Sequence, residues 1–200
     1  MEDRLIEALE ESQYIQEKDI SKPRLLVYLM GPYKSHPSYD SPHLERDTAT
    51  SRDTLDEALE SLQANNEDFD SDEALWLLIE LKRKLRKERG VNAFLATDPD
   101  ILLHEMDAAT QSIEYTKASV VTIFTAPAMG DNLGVGIEIG SVCEHLPEQE
   151  LLEEILFLGE RNIESSMIDA VSDRWHVTVD DFENFDELYQ AVKAHIRTVA

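Results

Sequence analysis

Five short apolar runs alternate with segments of helical periodicity along this chain, and that alternation predicts an α/β fold. The runs are Arg24–Met30, Val91–Ala96, Ala118–Phe124, Glu154–Leu158 and His176–Val179, all too short for buried helices. Each is followed by a helical segment, and strands joined through crossover helices pair in parallel. The expected architecture is a flavodoxin-like or Rossmann-like three-layer sandwich. Its five-stranded parallel sheet has the order 2-1-3-4-5, with an N-terminal helix and a helical insertion after strand one. No internal repeat or low-complexity tract competes with that reading.

The elements follow in order. Residues 2–17 read as an amphipathic helix, so 1–22 is assigned to that helix and its link, and 23–200 to a single domain. Gly31-Pro32 closes strand one, and Tyr33–Pro42, rich in Pro, Ser, His and Tyr, is a loop. A helix over 46–64 and an acidic turn over Asn65–Asp72 complete an insertion spanning 37–72. Ser71 or Asp72 caps a helix over 73–89, which Gly90 ends. Its terminal cations, Lys82 to Arg89, complement the helix dipole. Further helices are expected over Leu102–Thr116, Gly134–Leu146, Glu164–Ser172 and Phe185–Val199. The stretch Ala74–Ile79 is apolar on nearly every side, which calls for a cover: either the 46–64 segment or a second subunit of a homo-oligomer.

Composition narrows the class. The apolar fraction of 42% is that of a globular protein, yet 42 acidic side chains face 18 basic ones, for a formal net charge of −24. The acids are spread along the chain among regular leucine spacings, as a solvated coat over a core. Such a surface suits a high-salt cytoplasm, where ions screen the repulsion. Nucleic acid is excluded as a partner, because no basic stripe exists to neutralise phosphates. No apolar run reaches the ~20 residues that span a bilayer, and the acidic start is no signal peptide. One cysteine, Cys143, allows no internal disulfide and fits a cytoplasmic location. The six histidines show no metal-ligand spacing, and no Gly-x-Gly-x-x-Gly turn, P-loop or nucleophile elbow is present. Neither a metal nor a cofactor is expected.

In open parallel sheets ligands bind at the carboxyl ends of the strands, where the strand order reverses. The two most unusual loops here follow strands one and three: Met30–His36 and Ala126–Glu138. The second contains Gly-Asp-Asn-Leu-Gly-Val-Gly-Ile-Glu-Ile-Gly, residues 130–140, which sets one carboxylate, Glu138, among glycines and apolar side chains. A carboxylate in such a place is costly unless it has partners or a task. Asp131, Asn132 and Glu138 therefore mark the candidate active site.

Strand-Gly31-Pro32-Tyr33, and later Asn132-x-Gly134-x-x-x-Glu138-Ile139-Gly140, resemble the nucleoside 2-deoxyribosyltransferase superfamily with its deoxynucleotide N-glycosidases. The resemblance spans about residues 24–160. The family carries aspartate where this chain has Asn132, with Asp131 adjacent. What the resemblance implies is a glutamate nucleophile, Glu138, that attacks C1 of the sugar as the nucleobase leaves. It also implies that Asp107 contacts the departing base and that Gly31 and Tyr33 line the pocket beside Asp131 and Asn132. Gly134 and Gly136 would let backbone amides approach sugar or phosphate. The partner is then a small-molecule nucleoside or nucleotide, with Lys34, Ser35 and Ser38 available to a 5-phosphate. The charge would make the chain a haloarchaeal-type version of that superfamily. Two other readings keep the fold: a Toll/interleukin-receptor-like NAD glycohydrolase, and a non-catalytic nucleotide-binding or sensing module, which Asn132 favours.

Overall fold

A computed structural model of the chain describes residue 5 and residues 25–32, 69–99, 101, 104–128, 133–146, 152–161 and 166–199. The elements are β1 (Leu25–Met30), α1 (Phe69–Leu85), β2 (Val91–Leu95), α2 (Ala108–Ala118), β3 (Val121–Ala126), α3 (Leu133–His145), β4 (Ile155–Glu160), α4 (Ser166–Trp175), β5 (Thr178–Phe182) and α5 (Phe185–Val199). All four strand pairings are parallel and the sheet order is 2-1-3-4-5, as the alternation predicts. The loop at 33–42, the helix at 46–64 and the segment 6–17 lie outside the described residues.

The right-handed rule for crossovers sets the layers. The β1–α1–β2 unit steps one way across the sheet and the units from β2 onward step the other, so α1 lies on one face and α2 and α3 on the opposite one. Accordingly α1 packs with α5, and α2 packs with α3. The inner strands are buried on both faces, every residue of β3 included. Under α2, Tyr28 stacks on Phe94 at 5.1 Å and both meet Tyr115 edge-on. On the other face Ala74, Leu78, Leu81 and Leu85 form the fully buried stripe of α1. Leu5 is fully buried in the same core, so the N-terminal stretch reaches the domain there. Among the described residues no helix is long and apolar enough to cross a membrane.

Three boundaries move for local reasons. Helix α1 begins at Phe69, inside the stretch assigned to the insertion, and ends at Leu85 rather than 89. Its end tightens into i→i−3 turns, Lys87 N to Lys84 O and Glu88 N to Leu85 O, and Gly90 at φ 83° reverses the chain into β2. Helix α2 begins at Ala108 rather than Leu102, because Asp107 caps it and Gln111 Nε2 donates to the carbonyls of Ile101 and Met106 in the preceding turn. Strand β5 runs Thr178–Phe182 rather than 176–179. It is an edge strand whose Asp180 and Asp181 are exposed, which discourages further pairing and hides it from an apolar-run reading.

The terminal cations of α1 are absorbed by structure. Arg83 pairs with Glu80, and Lys84 pairs with Asp186 while lying over the Phe185 and Tyr189 rings. Glu88 takes both Tyr189 Oη and Lys193 Nζ, and these hydrogen bonds hold its carboxyl below the usual carboxylate range.

On the inner side of α5, His195 is buried and its Nε2 has no hydrogen-bond partner among the described residues. Burial lowers its pKa from the ordinary histidine value, opposed in part by a hydrogen bond to the Glu154 backbone. The folded state therefore refuses a proton that the unfolded chain accepts. The neutral histidine imposes no penalty well above its ordinary pKa, and stability is lost as pH falls through that value toward the folded one. Comparing urea unfolding of wild type and His195→Leu, the variant should gain relative to wild type between pH 7 and 5, by at most about 1.4 kcal/mol per pH unit. The comparison cancels the relief of acidic repulsion common to both proteins.

Candidate functional site

The carboxyl ends of β1 and β3 lie side by side, with Met30 opposite Phe124. Thr125 Oγ1 donates to the Met30 carbonyl at 2.9 Å and staples the two ends together. Gly31 fits against that staple. A Cβ placed there would stand 2.7 Å from Thr125 Oγ1 and 2.8 Å from Leu78 Cδ1. Its missing side chain thus faces protein, and close packing of α1 on the strand end is sufficient reason for glycine. Gly31→Ala should cost about 1–3 kcal/mol through overpacking, read as a lower urea midpoint at unchanged m-value; an unchanged midpoint would show that Leu78 yields freely.

Leu78 sits level with Gly31, and α1 runs antiparallel to β1. The nine residues before Leu78, ~13 Å of helix, therefore project past the carboxyl end of the sheet. Ala74 there is fully buried, and Leu75, Trp76 and Leu77 are half-buried. This overhang on one face and the head of α3 on the other flank the ends of β1 and β3. The turn after β2 is clamped to the same helix. Asp98 is buried, its Oδ1 accepting Lys82 Nζ at 2.8 Å and its Oδ2 accepting the Leu95 amide at 2.9 Å.

Helix α3 carries the central carboxylate. Val135, Ile139, Val142, Cys143 and Leu146 form its buried stripe, and Glu138 lies on that stripe, only 7% exposed. The opposite side, with Gly134, Gly136 and Ile137, is exposed. Glu138 is the sixth residue of the helix, beyond the first-turn amides where the dipole is concentrated. At Gly134, Gly136 and Gly140 a Cβ would meet nothing within 4 Å. Packing among the described residues does not demand these glycines, although each weakens the helix by ~1 kcal/mol relative to alanine.

The other predicted residues distribute unevenly. Asp107 is exposed at the head of α2, which packs beside α3. Its carboxylate accepts the Thr110 amide at 3.1 Å and the Thr110 hydroxyl at 2.6 Å. Those bonds hold its carboxyl below the usual range, and they give it a capping role that spacing alone had not indicated. Tyr33, Asp131, Asn132, Lys34, Ser35 and Ser38 lie outside the described residues. The Cys143 thiol is pushed up to about 12, chiefly by burial and then by Glu144, so it is no nucleophile. Among the described residues no three His, Cys, Asp or Glu side chains gather as a metal site.

Sequence reasoning missed Asp98, Thr125 and Glu160, which accepts the Ala128 amide at 2.6 Å. Thr125 and Glu160 sit at strand ends, where a polar side chain after an apolar run is the available signal, and Asp98 sits in the turn after β2.

One family, described as a domain of unknown function (DUF7509), matches residues 2–200. The chain belongs to that family. No curated protein matches the sequence.

Proposed function

We propose that this DUF7509 member cleaves, or transfers, the N-glycosidic bond of a nucleoside or nucleotide, with Glu138 as nucleophile. The observation that carries the reading is a carboxylate on the inward stripe of α3, at the strand-order reversal between β1 and β3. Three glycines that packing among the described residues does not require lie in the same helix, and the motif around them resembles the deoxyribosyltransferase pattern.

In this reading a Glu138 oxygen attacks the anomeric carbon as the carbon–nitrogen bond breaks, its electron pair leaving with the base. The base nitrogen takes a proton from water. The glycosyl ester is then opened by water, giving hydrolysis, or by a second base, giving exchange. Asp107, at the head of the neighbouring helix, favours its anionic form through Thr110. It suits accepting a hydrogen bond from the departing base rather than supplying the proton.

A non-catalytic nucleotide-binding role is the second reading, and Asn132 in place of aspartate favours it. Base release from deoxynucleosides, deoxynucleoside monophosphates and NAD, assayed in molar potassium chloride with wild type and Glu138→Ala, separates the cases. Glu138-dependent release names the substrate. Thermal stabilisation by a nucleotide without turnover supports the binding module, and neither response removes both readings.

A further inference from the structure

Helix α3 buries one side and leaves the other to solvent, and that outer side is unlike the rest of the surface. Among the described residues Ile137 is the one large apolar side chain that stands exposed, at 61%. From Leu133 to Cys143 the only charge is Glu138, which lies on the buried stripe, in a chain that carries 42 acids. Beside Ile137, Gly136 is exposed and Gly140 half-buried, and a Cβ at either would meet nothing within 4 Å. The polar groups on this side already have partners. Ser141 Oγ donates to the Ile137 carbonyl at 2.9 Å, the His145 ring meets the Ser141 carbonyl at 2.7 Å, and Glu144 takes Arg174. Covering such a face strands no donor and desolvates little charge.

We propose that the outer face of α3 is where two copies of this chain meet, as an antiparallel helix pair across a two-fold axis. A two-fold contact uses the same patch on both subunits, so the patch must carry its own knob and its own hole. Centring the pair between Ile137 and Gly140 provides both. Each Ile137 then lies over Gly140 of the other copy, and each Ser141 over Gly136, a side chain against bare backbone at every step. The same register sets Glu144 opposite Leu133, at the first turn of the other helix, where the dipole favours a carboxylate. It also joins surfaces that carry few like charges, which two copies of net charge −24 require in order to touch. Helix α1, the apolar stretch that called for a cover, is occupied within the chain: Ala74 and Leu78 are buried, and Leu75, Leu77 and Ile79 pack on the core. One face of a 13-residue helix, ~20 Å long, covers less than the ~800 Å² per partner of a standard stable interface. The pair is therefore reversible, and it tightens as salt screens the repulsion between the remaining surfaces.

The test is analytical ultracentrifugation of full-length wild type, Ile137→Asp and Gly140→Gln, in about 0.2 M and about 2 M potassium chloride. Wild type should dimerise with a Kd on the order of 10 µM in the higher salt, and about tenfold more weakly in the lower. Ile137→Asp sets a carboxylate at both knobs and should raise Kd at least about 100-fold. Ile137 lies outside the core, so that variant should melt as the wild-type monomer does. Gly140→Gln fills the hole with a good helix former, and its two readouts should part. Kd should rise about tenfold or more, while the melting temperature of the dilute monomer holds or increases. Wild type that stays monomeric at about 0.5 mM in the higher salt overturns the proposal. A dimer whose Kd Ile137→Asp leaves unchanged overturns it as well, and neither result depends on what the candidate site does.

Discussion

Glu138→Gln should reduce base release by at least ~10³-fold, the scale of losing a nucleophile or an essential acid–base group, while the domain stays folded. Glutamine keeps the volume and the polar end of the side chain on the buried stripe of α3, so Val135, Ile139 and Val142 need not repack. It lacks the anionic oxygen that would form the glycosyl ester. Glu138→Asp keeps the charge but draws it back by one methylene, and a displacement of that order should cost about 10²-fold. Stability should change little, because glutamine keeps the volume and a polar end for the contact that Glu138 makes. Melting of Glu138→Gln near the wild-type temperature, together with lost turnover, fits a side chain kept for chemistry. A variant that melts well below wild type, in a protein without base release, would instead mark Glu138 as structural.

The largest stability effect is expected at Asp98. Its side chain is fully buried and takes both Lys82 Nζ and the Leu95 amide, so one carboxylate joins α1 to the turn after β2. Asp98→Ala removes the acceptor for a buried ammonium and a buried amide together. Breaking one side of such a pair costs about 3–5 kcal/mol, which for a domain of this size lowers Tm by roughly 6–20 °C. The double variant Lys82→Met with Asp98→Ala should recover part of that loss, because no buried ammonium is then left without its Asp98 acceptor. Additive losses in the double variant would show that the two groups act independently. High salt should change these differences little, since the pair is shielded from solvent, whereas the exposed Arg161 cluster should weaken.

The strands were readable because a parallel sheet buries them on both faces, so runs such as Leu25–Met30 and Val121–Ala126 are nearly continuous apolar signals, and their order is the common one for five such strands. Helix α5 was readable end to end, with Leu188, Tyr189, Val192, His195 and Ile196 on one buried face. Strand β5 was misplaced because an edge strand needs few apolar residues. Helix α2 began six residues late because Asp107 decides its start through a cap, and periodicity does not weigh a cap. Glu138 stood out by composition, one acid in an apolar, glycine-rich segment. Gly31 stood out by its place after β1, but the reason for a glycine there needed Thr125 and Leu78, residues 94 and 47 positions away.

The sequence by itself therefore determined the fold class, the order of elements and the buried carboxylate, because hydrophobic periodicity and local composition are properties of neighbouring residues. The tertiary structure alone decided which strand-end polar groups meet: Lys82 with Asp98, Thr125 with Met30, and Glu160 with Ala128. Those contacts join residues 16, 95 and 32 positions apart. Only the twist and register of a folded sheet bring such groups within hydrogen-bond reach.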